Sequence, residues 1–165
     1  MNNKLKKFIS STVSYHDFRN AVNIANELNC GIEISRFGKL SEIEENFEKN
    51  KKEYKAILAD FDNEITLHGF FSNLNVAAKD PLIESASVKR YYQSLELAHE
   101  FDASLVVFHT CFNNLLKQQK YREMYFLKNI EFYKEFIKNF EELGIMATIE
   151  NVHEPNPIMI RNLIA

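Results

Sequence analysis

Short apolar runs alternate with longer stretches of helical periodicity along almost the whole chain, and this alternation restricts the fold more than any other feature. The runs cover residues 8–13, 31–34, 64–69, 104–109 and 145–150. Between them, Phe18, Ala21, Val22, Ala25 and Leu28 recur at the spacing of one helix face. Val88, Tyr91, Leu95 and Ala98 do the same, as do Phe126, Ile130, Tyr133, Ile137 and Phe140. Strands that are apolar on both faces, each followed by a helix, belong in a parallel sheet covered by helices.

Local signals set the expected boundaries. Ser14 or His16-Asp17 caps the first helix, and Cys30-Gly31 ends it, because glycine commonly follows a helix C-terminus. Ser41-Glu42-Ile43-Glu44 has capping-box spacing and opens one charged helix running to Leu58. Asp80-Pro81 starts a short turn, with Asp as cap and Pro in the first helical position; a helix ending near Phe101 follows. Leu143-Gly144 closes the longest helix, and residues 157–165 begin another.

The strand-end residues Glu33, His68, His109 and Glu150 lie 35, 41 and 41 positions apart. A (β/α)8 barrel uses about 31 residues per unit before insertions, so the repeat length suits a barrel. A doubly wound open sheet has similar spacing, but the chain has no glycine-rich phosphate turn. The expectation is an α/β fold: a partial barrel of about five parallel strands with interleaved helices, one domain over residues 1–165. The open sheet is the alternative.

Composition limits the partners. A net charge of −3 and a pI near 6.0 leave no overall basic footprint for nucleic acid. No stretch approaches the roughly 18 apolar residues of a membrane span, and the basic start is too polar beyond Lys7 for a signal peptide. Cys30 and Cys111 form neither a metal-type pair nor a disulfide framework. A reduced, cytoplasmic protein is expected.

His68, His109 and Glu150 each end an apolar run. In a barrel that end is the active-site face, where the three side chains would converge. Two imidazoles and a carboxylate suit Zn²⁺, Mn²⁺ or Fe²⁺ and leave positions open for water or substrate. Singly, each has a plainer explanation: a strand-end His hydrogen-bonded at a rim, or a Glu paired with a cation. Three in successive units favour the metal. Tyr91-Tyr92 and the Phe-rich stripe read as helix-to-sheet packing, 49–55 as a solvated charged face, and Cys111 as a buried neutral thiol rather than a ligand.

Gly31-Ile32-Glu33-Ile34, Leu67-His68-Gly69, Val106-Val107-Phe108-His109-Thr110 and Thr148-Ile149-Glu150-Asn151 resemble strands two to five of the xylose-isomerase-like barrels. The stretch from Asp80 to Phe101, with Ser85 and Ser87, resembles the segment leading to strand four. That superfamily holds sugar and sugar-phosphate isomerases and epimerases, together with apurinic-site endonucleases. The resemblance implies a divalent ion (Mn, Zn or Mg), with Glu150 as a ligand. It also implies that Glu150 serves as an acid/base carboxylate beside a substrate carbonyl and that Glu33 faces a sugar or sugar phosphate. His68 and His109 match metal positions of the endonuclease branch, whereas in the isomerase branch these positions more often touch substrate or support the site. The family's remaining ligands, an Asp, a His and a second Glu, come from strands six to eight, which these residues do not include. His153 and Glu154 follow strand five within reach of the site, but Glu154-Pro155-Asn156-Pro157 reads first as a loop and helix entry.

The expectation is therefore a metal-dependent isomerase or epimerase present in an incomplete form, inactive alone and self-associating through exposed sheet edges. The alternatives are an apurinic endonuclease-like phosphodiesterase, disfavoured by the charge balance, and a non-catalytic half-barrel.

Overall fold

The computed structural model describes residues 7–11, 15–115, 117–154, 158, 160 and 161. The Ser14 cap and most of the helix expected over 157–165 lie outside them. The elements in order are β1 (Phe8–Ser11), α1 (Tyr15–Leu28), β2 (Gly31–Ile34), a 3-10 turn (Arg36–Gly38), α2 (Leu40–Glu44), α3 (Phe47–Leu58), β3 (Ile65–His68), α4 (Pro81–Glu100), β4 (Leu105–His109), α5 (Gln119–Glu142) and β5 (Met146–Glu150).

All five strands are parallel and lie in the order β1-β2-β3-β4-β5. Each strand sits beside its predecessor, as successive barrel units do. A doubly wound sheet reverses direction at a switch point and does not give this order, so the open-sheet alternative falls. The helices cover one face. On that face Ile32, Ile34, Leu67, Val106 and Phe108 are at most 1% exposed, and burying each such side chain stabilises the chain by about 1.5–3 kcal/mol. Phe108 meets Phe136 and Phe140 of α5 edge-on at 5.5 and 5.7 Å, and Phe18 of α1 stacks on Tyr54 of α3 at 3.9 Å.

The register puts the chemistry on the other face. Ser10 pairs with Glu33, Glu33 with Thr66, Thr66 with Leu105, and Leu105 with Met146. Side chains alternate along a strand, so His68, two residues beyond Thr66, shares this face. His109, four beyond Leu105, and Glu150, four beyond Met146, do so as well. All four expected strand-end residues therefore face what would be the barrel interior.

Several boundaries differ from expectation, each for a visible reason. Helix α1 already includes His16 and Asp17, so neither caps it. Its end is turned by Asn29 in the left-handed region (φ 50°), while Cys30 N donates to Ala25 O at 2.8 Å. Gly31 instead starts β2 where no side chain fits: a Cβ there would lie 2.3 Å from the Phe8 ring and 2.7 Å from Glu64 O.

Helices α2 and α3 are separate, and Ser41 lies inside α2 rather than capping it. Glu44, the expected partner in the capping box, is instead paired with Arg90 of α4. Asp80 does cap, accepting from Leu82 N at 2.8 Å, but its turn runs straight into one 20-residue helix, α4. The buried stripe of α5 is Tyr125, Asn129, Tyr133, Phe136 and Phe140, shifted from the stripe expected through Phe126, Ile130 and Ile137.

Candidate metal centre

His68 ends β3 opposite Val107, whereas His109 ends β4 opposite Glu150. The two histidines are thus diagonal neighbours, two residues apart in register. Diagonal positions on one face lie within reach of long side chains, and the tilt of barrel strands directs them to a common point. His68 Nε2 lies 3.1 Å from His109 Nε2, which lies 3.1 Å from Glu150 Oε2; His68 Nε2 and Glu150 Oε2 are 3.7 Å apart. A triangle with those sides has a circumradius of about 1.9 Å, so a point just off its plane stands about 2.0–2.1 Å from all three atoms, the length of a Zn–N or Zn–O bond. Among the described residues these three form the group of metal-type donors that converges in this way.

The protonation pattern fits ligation. His68 Nδ1 lies 3.0 Å from Gly69 O. A carbonyl only accepts, so Nδ1 donates this bond, and Nε2 is the ring nitrogen turned to His109 and Glu150. Such a bond to the far ring nitrogen is what fixes the tautomer of metal-binding histidines. Burial, and after it the neighbouring His68, pushes the His109 pKa below its ordinary value of 6.5, against the opposing pull of Glu150. A neutral imidazole, the ligating form, is thereby favoured.

The end of β4 is also held from behind. Tyr91 Oη on α4 donates to His109 O at 2.8 Å, and Tyr133 Oη on α5 approaches the same carbonyl at 3.4 Å and the Tyr91 oxygen at 3.2 Å. Tyr125 Oη donates to Thr110 O. Burial holds all three phenols well above their ordinary pKa, so they remain donors. Sequence reasoning saw Tyr91 and Tyr133 only as packing. The available signal was tyrosine, rather than phenylalanine, at fully buried helix positions, since a buried Tyr hydroxyl usually finds a partner.

Glu33 shares the face but not the cluster. Its Oε1 accepts from Ser10 Oγ at 2.9 Å and from Ser35 Oγ at 3.2 Å, making a small hydroxyl–carboxylate group at the ends of β1 and β2. Cys111 lies beyond His109 with Sγ 3.4 Å from Phe71 O, outside the convergent group, and burial pushes its thiol up to about 11, so it is a neutral thiol. A cavity of about 340 Å³ opens beside His109, walled by Phe71, Asn73, Cys111, Phe112, Asn113 and His153 among others. Asn73 (φ 58°) and Cys111 (φ 56°) both carry left-handed backbones. Asn29 and Asp102, the other non-glycine residues with positive φ among those described, closely follow helix ends. Strained backbone of this kind gathers at ligand sites.

Fold and site define a partial β/α barrel with a histidine–carboxylate cluster at the C-terminal ends of its strands. Residues 30–162 match the xylose isomerase-like TIM barrel family, and the chain belongs to it. Solved structures share the fold at low identity. A Thermus thermophilus protein from a ZnCl2 soak has a TM-score of 0.75 at 20% identity, over 96% of this chain and 60% of its own. A D-tagatose 3-epimerase-like protein has 0.71 at 21%, over 97% and 60%. D-psicose 3-epimerase from Clostridium cellulolyticum, solved with D-tagatose, has 0.72 at 14%, over 96% and 60%. The chain thus spans about 60% of the length of these structures. No curated protein matches it. No helix among the described residues is long and apolar enough to cross a membrane.

Proposed function

We propose that this chain carries the metal-binding half of a sugar or sugar-phosphate isomerase or epimerase, with His68, His109 and Glu150 holding a divalent ion (Mn, Zn or Mg). The observation that carries this reading is the convergence of three donor atoms, at 3.1, 3.1 and 3.7 Å, on the interior side of the strand ends. The ion, when bound, would supply a Lewis acid that polarises a substrate carbonyl.

The chain's own residues do the rest. His68, fixed by Gly69 O, and His109, fixed through its main chain by Tyr91, orient the ligand set. Glu150, 53% exposed at the side chain, is free to exchange protons with solvent or substrate and serves as a general base at the carbon beside the carbonyl. Glu33, with the Ser10 and Ser35 hydroxyls, offers hydrogen bonds to sugar hydroxyls. The fold similarity to a D-psicose 3-epimerase and a D-tagatose 3-epimerase-like protein supports a sugar substrate.

We further propose that residues 1–165 form a single barrel domain that needs a second acid/base carboxylate from outside β1–β5. The 165 residues alone would then exchange the α-proton of a ketose slowly. The test is a panel of ketoses and ketose phosphates in deuterated solvent with each metal, followed by NMR, alongside titration of the same sugars into the metal-loaded chain. Metal-dependent sugar binding at the His109 cavity supports the reading. The pair of histidine ligands favours a second reading, an apurinic endonuclease-like phosphodiesterase; nicking of abasic DNA, with no sugar binding, would move the chain there.

A further inference from the structure

Among the described residues Glu150 lies on a strand paired with β4 on one side, and its pairing with His109 is the last in the β4–β5 register. Residues 151–153 beyond it are exposed. Strand pairing alone leaves this end of β5 free to splay, which would carry Glu150 out of reach of His109. A second connection exists four residues further on. Glu154 Oε2 accepts the main-chain N–H of Val152 at 3.2 Å and of His153 at 3.1 Å, and its Oε1 accepts from the hydroxyl of Thr110.

Thr110 is the fixed side of this contact. It is 3% exposed, its Oγ1 also accepts from Phe112 N at 3.3 Å, and its carbonyl accepts from the Tyr125 hydroxyl. One half-buried carboxylate therefore folds the turn after β5 onto itself and ties it to the residue after His109.

We propose that Glu154 is a positioning residue of the metal centre: it latches the turn after β5 to Thr110 and so sets the distance between Glu150 and His109. This rests on the metal-binding role proposed above. A carboxylate that merely capped its own turn would need Val152 and His153 but not Thr110, and that difference separates the latch from a purely local role.

The experiment uses the 165-residue chain with Zn²⁺ as probe. Affinity is read by competition with a chromophoric chelator, and the histidine ring nitrogens are followed by NMR without metal. Glu154→Ala, Glu154→Gln and Thr110→Val are compared with the unsubstituted chain. Glu154→Ala and Thr110→Val should each weaken Zn²⁺ binding by about ten- to a hundredfold, as loss of an outer partner of a metal ligand does. Both should shift the His109 ring signals of the metal-free chain, while amide exchange in β2–β4 stays unchanged. Glu154→Gln, whose amide oxygen still accepts, should retain most of the affinity. The double variant should be no weaker than the worse single one, because both break one contact.

Single variants that bind within about twofold of the unsubstituted chain, or losses that add in the double variant, overturn the latch. If the unsubstituted chain binds no Zn²⁺, the metal reading itself fails. The latch is then judged on the metal-free ring signals: a shift shared by Glu154→Ala and Thr110→Val keeps it, and unchanged signals end it.

Discussion

His109 is the central donor of the cluster, 3.1 Å from each of the other two, so His109→Ala tests the site most directly. Apparent binding free energies of structural Zn²⁺ sites run to about 10–16 kcal/mol, or about 3 kcal/mol per ligand when spread over four. Losing one of three protein donors should therefore raise the Zn²⁺ dissociation constant by about a hundredfold. The side chain can be removed with little harm to the fold, because the bonds from Tyr91 and Tyr133 go to the His109 carbonyl and not to its ring. Chelator competition gives the affinity, and thermal unfolding confirms that the variant is folded. Glu33→Gln is the matched control. Glu33 is bound to Ser10 and Ser35 outside the cluster, so its loss should leave the affinity within about twofold. Equal Zn²⁺ affinity in His109→Ala and the unsubstituted chain, or an equally large loss in Glu33→Gln, would refute the assignment.

Protonation of His109 is disfavoured in the folded chain, where its pKa lies below 6.5, so folding stability should be whole above pH 6.5 and decline as pH falls through the depressed value. Denaturant titrations across about pH 5–8 should show this limb flattened in His109→Asn. Tyr91→Phe leaves the His109 carbonyl with the longer Tyr133 and Cys111 contacts and should cost about 1–2 kcal/mol in denaturant unfolding. Gly69→Ala drives a Cβ to 2.5 Å from the ring of the fully buried Phe108 and should cost about 1–3 kcal/mol. It should also weaken metal binding by shifting the carbonyl that orients His68. The outer strands β1 and β5 and the 61%-exposed Met146 should make the chain self-associate, seen as concentration-dependent mass in sedimentation, with Met146→Lys shifting it towards monomer.

The strands were legible because short, mostly apolar runs alternate with stretches of helical periodicity, as in a helix-covered parallel sheet. Once they were placed, the parity of side chains carried Glu33, His68, His109 and Glu150 to one face. What sequence could not show was competition among polar side chains. Glu44 looked like half of a capping box with Ser41, but Arg90, 46 residues later in the chain, takes its carboxylate. The short turn expected at Asp80-Pro81 proved continuous with the helix expected after it. In the fold Ser87 Oγ bonds back to Ile83 O at 2.7 Å and accepts from Asn75 N at 2.8 Å, so serine sits comfortably inside α4 and ties the preceding loop to it. The α5 stripe differs at its start because Tyr125 faces the sheet to reach the Thr110 carbonyl, while Tyr133 and Phe140 stay on it as expected. Glu154, read as loop entry, owes its place to Thr110, which lies 44 residues earlier in the chain.

The tyrosine hydroxyls behind β4 have an optical consequence. The chain contains no Trp and seven Tyr, so its intrinsic fluorescence is tyrosine emission alone. Three of the seven end in hydrogen bonds at the carbonyls of His109 and Thr110. A phenol bonded to a carbonyl emits differently from one released, and any movement of the strand end on loading the site alters those bonds. The protein thus carries a built-in, label-free reporter of its own strand end, readable in dilute solution.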